Sequence, residues 1–218
     1  MTSITQRATP KRRMSAADRR AVILDAALEA FAAGGYHETS LDAVAARAGI
    51  SKALIYEHFG SKRELHGALL ETYVGELLGA VLEAARAAGP GEERLEAGAD
   101  AFLRFVERRR EAWRLLVRNP GEPDVVNSVG RLQEEAGEAI AALMEADAPA
   151  ELQHDPKFAG IGIEMLAQQL VGALRALANW WDDHRDVPRD GVLAMFMEFA
   201  WLGFGRLSEG ERWSPGGD

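Results

Sequence analysis

Apolar residues recur along this chain at three- and four-residue spacing, the period of a helix with one buried face, and strand-like alternation is missing. Ile23, Ala27 and Phe31 form one stripe with Leu24 and Leu28 beside it, predicting a helix over about residues 16–33 that Gly34-Gly35 stop. Leu41, Val44, Ala45 and Ala48 predict a second helix ended by Gly49, and residues 51–58 a very short third. A longer fourth helix runs from Ser61 to about Ala88. After Gly89-Pro90-Gly91 a helix begins near Glu92 and carries Leu95, Ala99, Phe102, Phe105 and Val106, with no proline to mark its end before Trp113. Asn119-Pro120-Gly121 is a stop. Further helices are expected over about residues 124–146, 156–184 and 188–207, the last with Pro188 placed for a first turn. The expected fold class is all-α.

Start signals sharpen the first part. Ser15-x-x-Asp18, Thr39-x-x-Asp42 and Ser61-x-x-Glu64 each pair a hydroxyl with a carboxylate three residues on, the pattern of a capping box. Ile50 and Ile55 are spaced for a hydrophobic staple at the third helix. Two short helices joined by Ala48-Gly49-Ile50-Ser51 have the length and turn chemistry of a helix-turn-helix. With Ile55 as buried centre and about 100° per residue, Phe59 faces inward, Ala53, Tyr56 and Glu57 face outward, and Lys52 lies at the edge. A small helical hairpin with a surface tyrosine is the plainer alternative.

Charge changes the picture. The net charge of −9 is unevenly spread: residues 1–63 hold ten Lys/Arg against six Asp/Glu, and the remainder is strongly acidic. Such asymmetry points to a nucleic-acid-binding end or a solvated basic tail. The absence of cysteine excludes disulfides, thiolate metal sites and a cysteine nucleophile, and fits a reducing cytoplasm. No apolar run approaches the ~20 residues of a bilayer span and no signal-peptide pattern is seen, so a cytoplasmic protein without a membrane partner is expected. The organisation expected is a basic arm at 1–14, a helix-turn-helix domain at 15–66, a helical effector-binding and dimerisation domain at 67–210, and a frayed tail at 211–218.

The run from Thr39 to Leu65, with its Ala-Gly turn, Tyr56-x-x-Phe59 and Ser61-Lys62-x-x-Leu65, resembles the helix-turn-helix fingerprint of the TetR family over about residues 16–66. The resemblance implies a homodimeric regulator, most often a repressor, that leaves a pseudo-palindromic double-stranded operator when a small molecule enters its C-terminal domain. It implies that Ser40 and Lys62 contact phosphate, and that Tyr56 and His58 contact backbone or nearby bases. Lys52, Ala53 and Leu54 would face base edges. There Lys52 can donate to guanine O6/N7, and Ala53 and Leu54 can touch a thymine methyl. Ala53 stands where many relatives carry glycine, a departure that bears on how closely the helix approaches the groove.

In the remainder, the resemblance implies that the last two helices form a four-helix dimer interface, here through Leu170, Val171, Leu174, Leu177, Ala178 and Trp181 with Phe196, Phe199, Ala200 and Phe204. Simple core packing is the alternative. For a small apolar or amphipathic effector, the candidates are Phe102, Phe105, Trp113, Met144 and Met165 with Gln168 and Gln169 as polar groups. Such an aromatic and methionine stripe is also what an ordinary core looks like.

An enzyme is not expected. The five histidines show no metal-ligand spacing, and nucleophile elbow and phosphate loop are both missing, so no cofactor or metal is expected. The competing class is a helix-turn-helix regulator without an effector, constitutive or controlled by a protein partner.

Overall fold

The first helix, α1 (Ala16–Glu38), starts on a complete capping box: Ser15 Oγ accepts from Asp18 N at 3.0 Å, and the Asp18 carboxylate accepts from Ser15 N at 3.1 Å. The Ser15 hydroxyl, then its backbone N–H, hold the Asp18 carboxyl below its ordinary value. Helical geometry stops at the two glycines, as expected, and a further short turn follows them. The chain breaks direction at Gly35 (φ 71°, ψ 172°), a conformation that side chains resist, and the turn runs on to Glu38.

Helix α2 (Leu41–Ala48) corrects the second expected cap. Its hydroxyl partner is Ser40, which accepts from Ala43 N at 3.1 Å, rather than Thr39. Thr39 turns backward: its buried hydroxyl lies 2.6 Å from Gly35 O and 3.0 Å from Ala30 O, tying off the end of α1. Gly49 ends α2 in the left-handed region (φ 65°), with Gly49 N donating to Ala46 O and Ile50 N to Ala45 O, the paired bonds of a Schellman stop. Helix α3 (Lys52–His58) is capped by Ser51 Oγ, which accepts from Leu54 N at 3.3 Å. Helix α4 (Lys62–Ala87) is capped by Ser61, but the Glu64 carboxylate accepts from Gly60 N, one residue earlier than a standard box.

A computed structural model describes residues 14–118, 123–147 and 160–208, and the chain divides into two compact units, Met1–Leu65 and His66–Asp218. In the first unit Ile23, Ala27, Phe31, Val44 and Ile55 are fully buried, so the expected stripes of α1 to α3 do form its core. Ile50 is half-buried beside the turn. Residues 1–13 of the expected basic arm (1–14) and the whole expected tail (211–218) lie outside the described residues.

In the second unit the end of the helix beginning at Glu92, which the sequence leaves unplaced, falls just past its apolar stripe. Helix α5 (Glu92–Arg108) stops at Arg109 (φ −117°, ψ 43°) and α6 (Arg110–Arg118) follows at once. Arg109 N donates to Phe105 O and its own carbonyl accepts from Trp113 N, so the break interrupts one residue and needs no proline. The Arg109 side chain reaches α4: Nε donates to Glu76 Oε1 at 2.9 Å and the guanidinium lies 5.9 Å from the Tyr73 ring centroid.

Helices α7 (Pro123–Asp147), α8 (Ile161–Asp183) and α9 (Arg189–Ser208) complete the unit, and among the described residues there is no strand. The expected start of α8 near Pro156 falls outside the described residues, within which α8 begins after Gly160. It packs against α7 and α5, while α9 packs against α5 and α8. Asp182, buried near the end of α8, takes a hydrogen bond from Arg114 Nε at 2.7 Å, joining α6 to α8. At the far end of α7, Asp147 accepts from Gly91 N and pairs with Arg94 at 2.6 Å, and Arg94 Nε also donates to Ala85 O. This ties the ends of α4, α5 and α7 together.

One helix bears on the expectation of no membrane span. By length and apolar content α8 qualifies as a membrane span, because apolar residues occupy more than one of its faces. Ile163, Ala167, Leu174, Ala178 and Trp181 are buried within the unit, whereas Ile161, Met165 and Trp180 are exposed. One helix that passes by length and composition alone is weak evidence for a membrane.

Candidate nucleic-acid interface

The short α3 divides as its period demands. Ile55 is fully buried, and Phe59, in an extended conformation just past the helix, is buried too. Lys52, Ala53, Tyr56 and Glu57 are exposed, and Leu54 and His58 are half-buried. Tyr56, half exposed, is one of the large apolar side chains left open among the described residues. The outward set is therefore one small, one aromatic, one cationic and one anionic side chain on a helix narrow enough for a DNA major groove.

Lys52 is already engaged. Its ammonium lies 2.9 Å from the Asp42 carboxylate at the start of α2, across the turn, with both side chains largely in solvent. That hydrogen bond first, then the Asp42 charge, holds the Lys52 ammonium above its ordinary value. Asp42 was no candidate from sequence beyond its place in a capping box. The box itself is not made there, and that frees the carboxylate for Lys52.

Lys62 is likewise held. Its Nζ donates to His37 O at 3.1 Å and sits 4.4 Å from the centroid of the Tyr36 ring. Tyr36 in turn stacks on the buried Phe31, with ring centroids 5.9 Å apart and planes at 20°. Tyr36 and His37 were missed because nothing in a helix-ending Gly-Gly-Tyr-His run marks a lysine's perch. The hydroxyl of Ser40 is occupied as the cap of α2, leaving its backbone and the helix start for an anion. Arg20, 5.2 Å from the Phe59 ring centroid, adds an exposed cation on α1. Ser40, Lys52, Ala53, Tyr56 and the half-buried Leu54, His58 and Lys62 thus belong to α3 and the helix starts beside it in one small unit.

The C-terminal candidates separate into two kinds. Phe102 and Trp113 meet edge to face at 5.3 Å, and Phe105 and Trp113 are buried. Met144 packs elsewhere, with Ile140 against Ala141, Ile163 and Ala167 at the α7–α8 seam. Met165 and Gln169 are exposed, contrary to a role lining a cavity of the isolated chain, because they fall on the outer face of α8. Gln168 is also exposed and lies across Gly137 of α7.

The expected interface residues are corrected in the same way. Leu174, Ala178, Trp181, Phe196 and Ala200 are buried inside the unit and cannot be its outer face. Trp181 Nε1 donates to Val187 O at 2.8 Å, fixing the α8–α9 corner. Leu170, Val171 and Leu177 are half-buried, and the Phe204 side chain lies outside the described residues. Phe199 remains, at 72% exposure, joined by Met165, expected in the pocket instead, and by Met195 and Trp180, which the sequence had not singled out.

Comparison with known proteins gives two family matches: bacterial regulatory proteins of the tetR family over residues 23–69, and the tetracyclin repressor-like C-terminal domain over residues 91–203. The transcriptional activator FasR of Mycolicibacterium smegmatis is 32% identical over 192 residues, covering 87% of this chain and 84% of that protein. The crystal structure of a TetR-like regulator from Rhodococcus sp. RHA1 superposes with a TM-score of 0.71 at 32% identity, covering 88% of this chain and 99% of that one. FadR of Bacillus subtilis, solved in complex with stearoyl-CoA, shares the fold at a TM-score of 0.67 and 15% identity, covering 88% and 99%.

Proposed function

The chain belongs to the TetR family of DNA-binding transcriptional regulators, and from that premise we propose that it acts as a homodimer gated by a small molecule. Its two α3 helices would occupy a pseudo-palindromic operator until an apolar or amphipathic effector enters the helical C-terminal unit. The observation that carries this reading is the pairing of an exposed Lys52-Ala53-Tyr56 face on α3 with buried Ile55 and Phe59 behind it. The family acts by binding, and no catalytic step is invoked. Ligand-controlled occupancy makes a repressor wherever the operator overlaps a promoter, and an activator where it recruits polymerase, as the name of the FasR relative records for that protein.

In this reading Lys62 positions the protein on phosphate. Lys62→Ala is expected to weaken operator and random DNA about equally and to reduce the salt slope by about 0.9, the value of one phosphate contact. Fluorescence anisotropy across a salt series measures both. An unchanged slope would remove Lys62 from the interface and leave it only as a strut for the end of α1.

Gating would run through α4, one unbroken helix from Lys62 to Ala87. Support for this comes from Arg109, which at the α5–α6 break holds Glu76 and Tyr73 of that helix. An effector entering beside Phe102 and Trp113 would press on this break. Arg109→Ala should keep operator affinity but lose most of the effector's influence, which by linkage is about 1–3 kcal/mol, or roughly 5- to 150-fold. The test is a titration of operator-bound protein with long-chain fatty acids and with their coenzyme A thioesters, of which stearoyl-CoA is the ligand in the Bacillus subtilis FadR structure. Release by a member of that panel, blunted by Arg109→Ala, is the expected result. Failure of every member to shift the unaltered protein would favour control by a protein partner.

A further inference from the structure

Asp42 is the second residue of α2, where a carboxylate ordinarily serves the free N–H groups of its own helix start. Here the Ser40 hydroxyl takes Ala43 N instead, and Asp42 reaches across the turn to Lys52 Nζ at 2.9 Å. An ion pair this exposed adds little to stability, so the fold does not require it. What the pair does control is where the ammonium can go.

We propose that Asp42 sets sequence specificity by tethering Lys52, so that the ammonium is presented to a base edge and withheld from phosphates. The inference rests on the reading that places Lys52 at a base edge. A lysine has three N–H donors, and one held by Asp42 leaves two, enough for guanine O6 and N7. An untethered lysine on a flexible stem reaches whichever phosphate is near, and phosphates are the same on every sequence. The Asp42 carboxylate also repels a phosphate brought to the same place, but it meets only uncharged acceptors on a base edge. Both effects weaken binding to random DNA more than binding to the operator.

The experiment compares the full-length protein with Asp42→Asn, Lys52→Met and the double variant. Each is titrated on an operator recovered by selection from random duplexes and on a random duplex, over a fourfold range of salt. Asp42→Asn is expected to leave operator affinity within about twofold. On random DNA it should steepen the salt slope by about 0.9 and raise low-salt affinity about threefold, as one added phosphate contact does. The operator-to-random ratio then falls about threefold, and in the Lys52→Met background Asp42→Asn no longer changes that ratio. Equal tightening on both duplexes would overturn the inference, as would the same fall in ratio without Lys52, since either makes Asp42 a general negative charge. If Lys52→Met alone changes neither the operator preference nor the salt slope, the placement of Lys52 at a base edge fails first, and the inference falls with it.

Discussion

Phe199→Asp is expected to turn the protein into a monomer at micromolar concentration and to reduce operator affinity by about 100-fold or more, while leaving its helical content intact. The expectation follows from where the apolar surface of the C-terminal unit lies. Phe199 is 72% exposed, and Met195, one turn earlier on α9, is 61% exposed. On α8, Ile161 and Met165 form a similar one-turn pair, and Trp180 near its end stacks at 4.1 Å on His184. Single exposed apolar residues are ordinary, but several large ones on two neighbouring helices mark a surface that something covers. A stable dimer needs about 800 Å² from each partner, and large aromatic side chains supply about 150–250 Å² apiece when buried. A second copy of the same face meets the need. Loss of operator binding follows because one protomer would grip one half-site alone, and linking two sites commonly adds about 10²–10⁴ in avidity. Phe196, three residues away, is buried in the unit, so Phe196→Asp should instead unfold it. Sedimentation of the Phe199 variant decides the matter. A dimer persisting at low concentration with full operator affinity would place the interface elsewhere.

The contrast between Phe196 and Phe199 also shows what a sequence can and cannot reveal. In α1 and α2 one face is apolar and the other polar, so the period alone identifies Ile23, Ala27, Phe31 and Val44 as core. In α9 apolar residues run round much of the helix, and the period loses its phase. Trp180 and Trp181 are neighbours with opposite fates: one is exposed, and the other is buried and hydrogen-bonded to Val187 O. The Arg109 break was hidden for a different reason. A single residue leaving helical geometry between two helices that keep their flanking hydrogen bonds needs neither glycine nor proline. At the second cap, Thr39 and Ser40 are both competent hydroxyls, and tertiary context chose Ser40 by giving Thr39 two carbonyls of α1 to close. The helix-turn-helix was legible because its signals are local: Gly49, the Ser51 cap and the Ile55/Phe59 inward pair depend on residues a few positions apart.

The lysine and its perch were not local, and they lead to the second large effect. Phe31→Ala is expected to abolish operator binding near physiological temperature while the C-terminal unit remains helical and dimeric. Phe31 is fully buried, and removing such a ring costs about 3–5 kcal/mol. A unit of this size holds only about 0.05–0.15 kcal/mol per residue in total, so the loss consumes most of its stability. Phe31 also carries the stack through which Tyr36 presents its ring to Lys62. Phe31→Leu separates the two contributions. It keeps most of the apolar volume at a cost on the order of 1 kcal/mol, so the unit should stay folded. What it removes is the flat surface under Tyr36, and with it part of the restraint on Lys62. Its DNA affinity should fall modestly and by the same factor on operator and random duplexes, because phosphate contacts position the protein without reading sequence. Thermal melting by circular dichroism, paired with anisotropy at a temperature where Phe31→Leu is fully folded, distinguishes unfolding from loosening. Operator binding by Phe31→Ala at the affinity of the unaltered protein would show that the ring is not what holds this unit together.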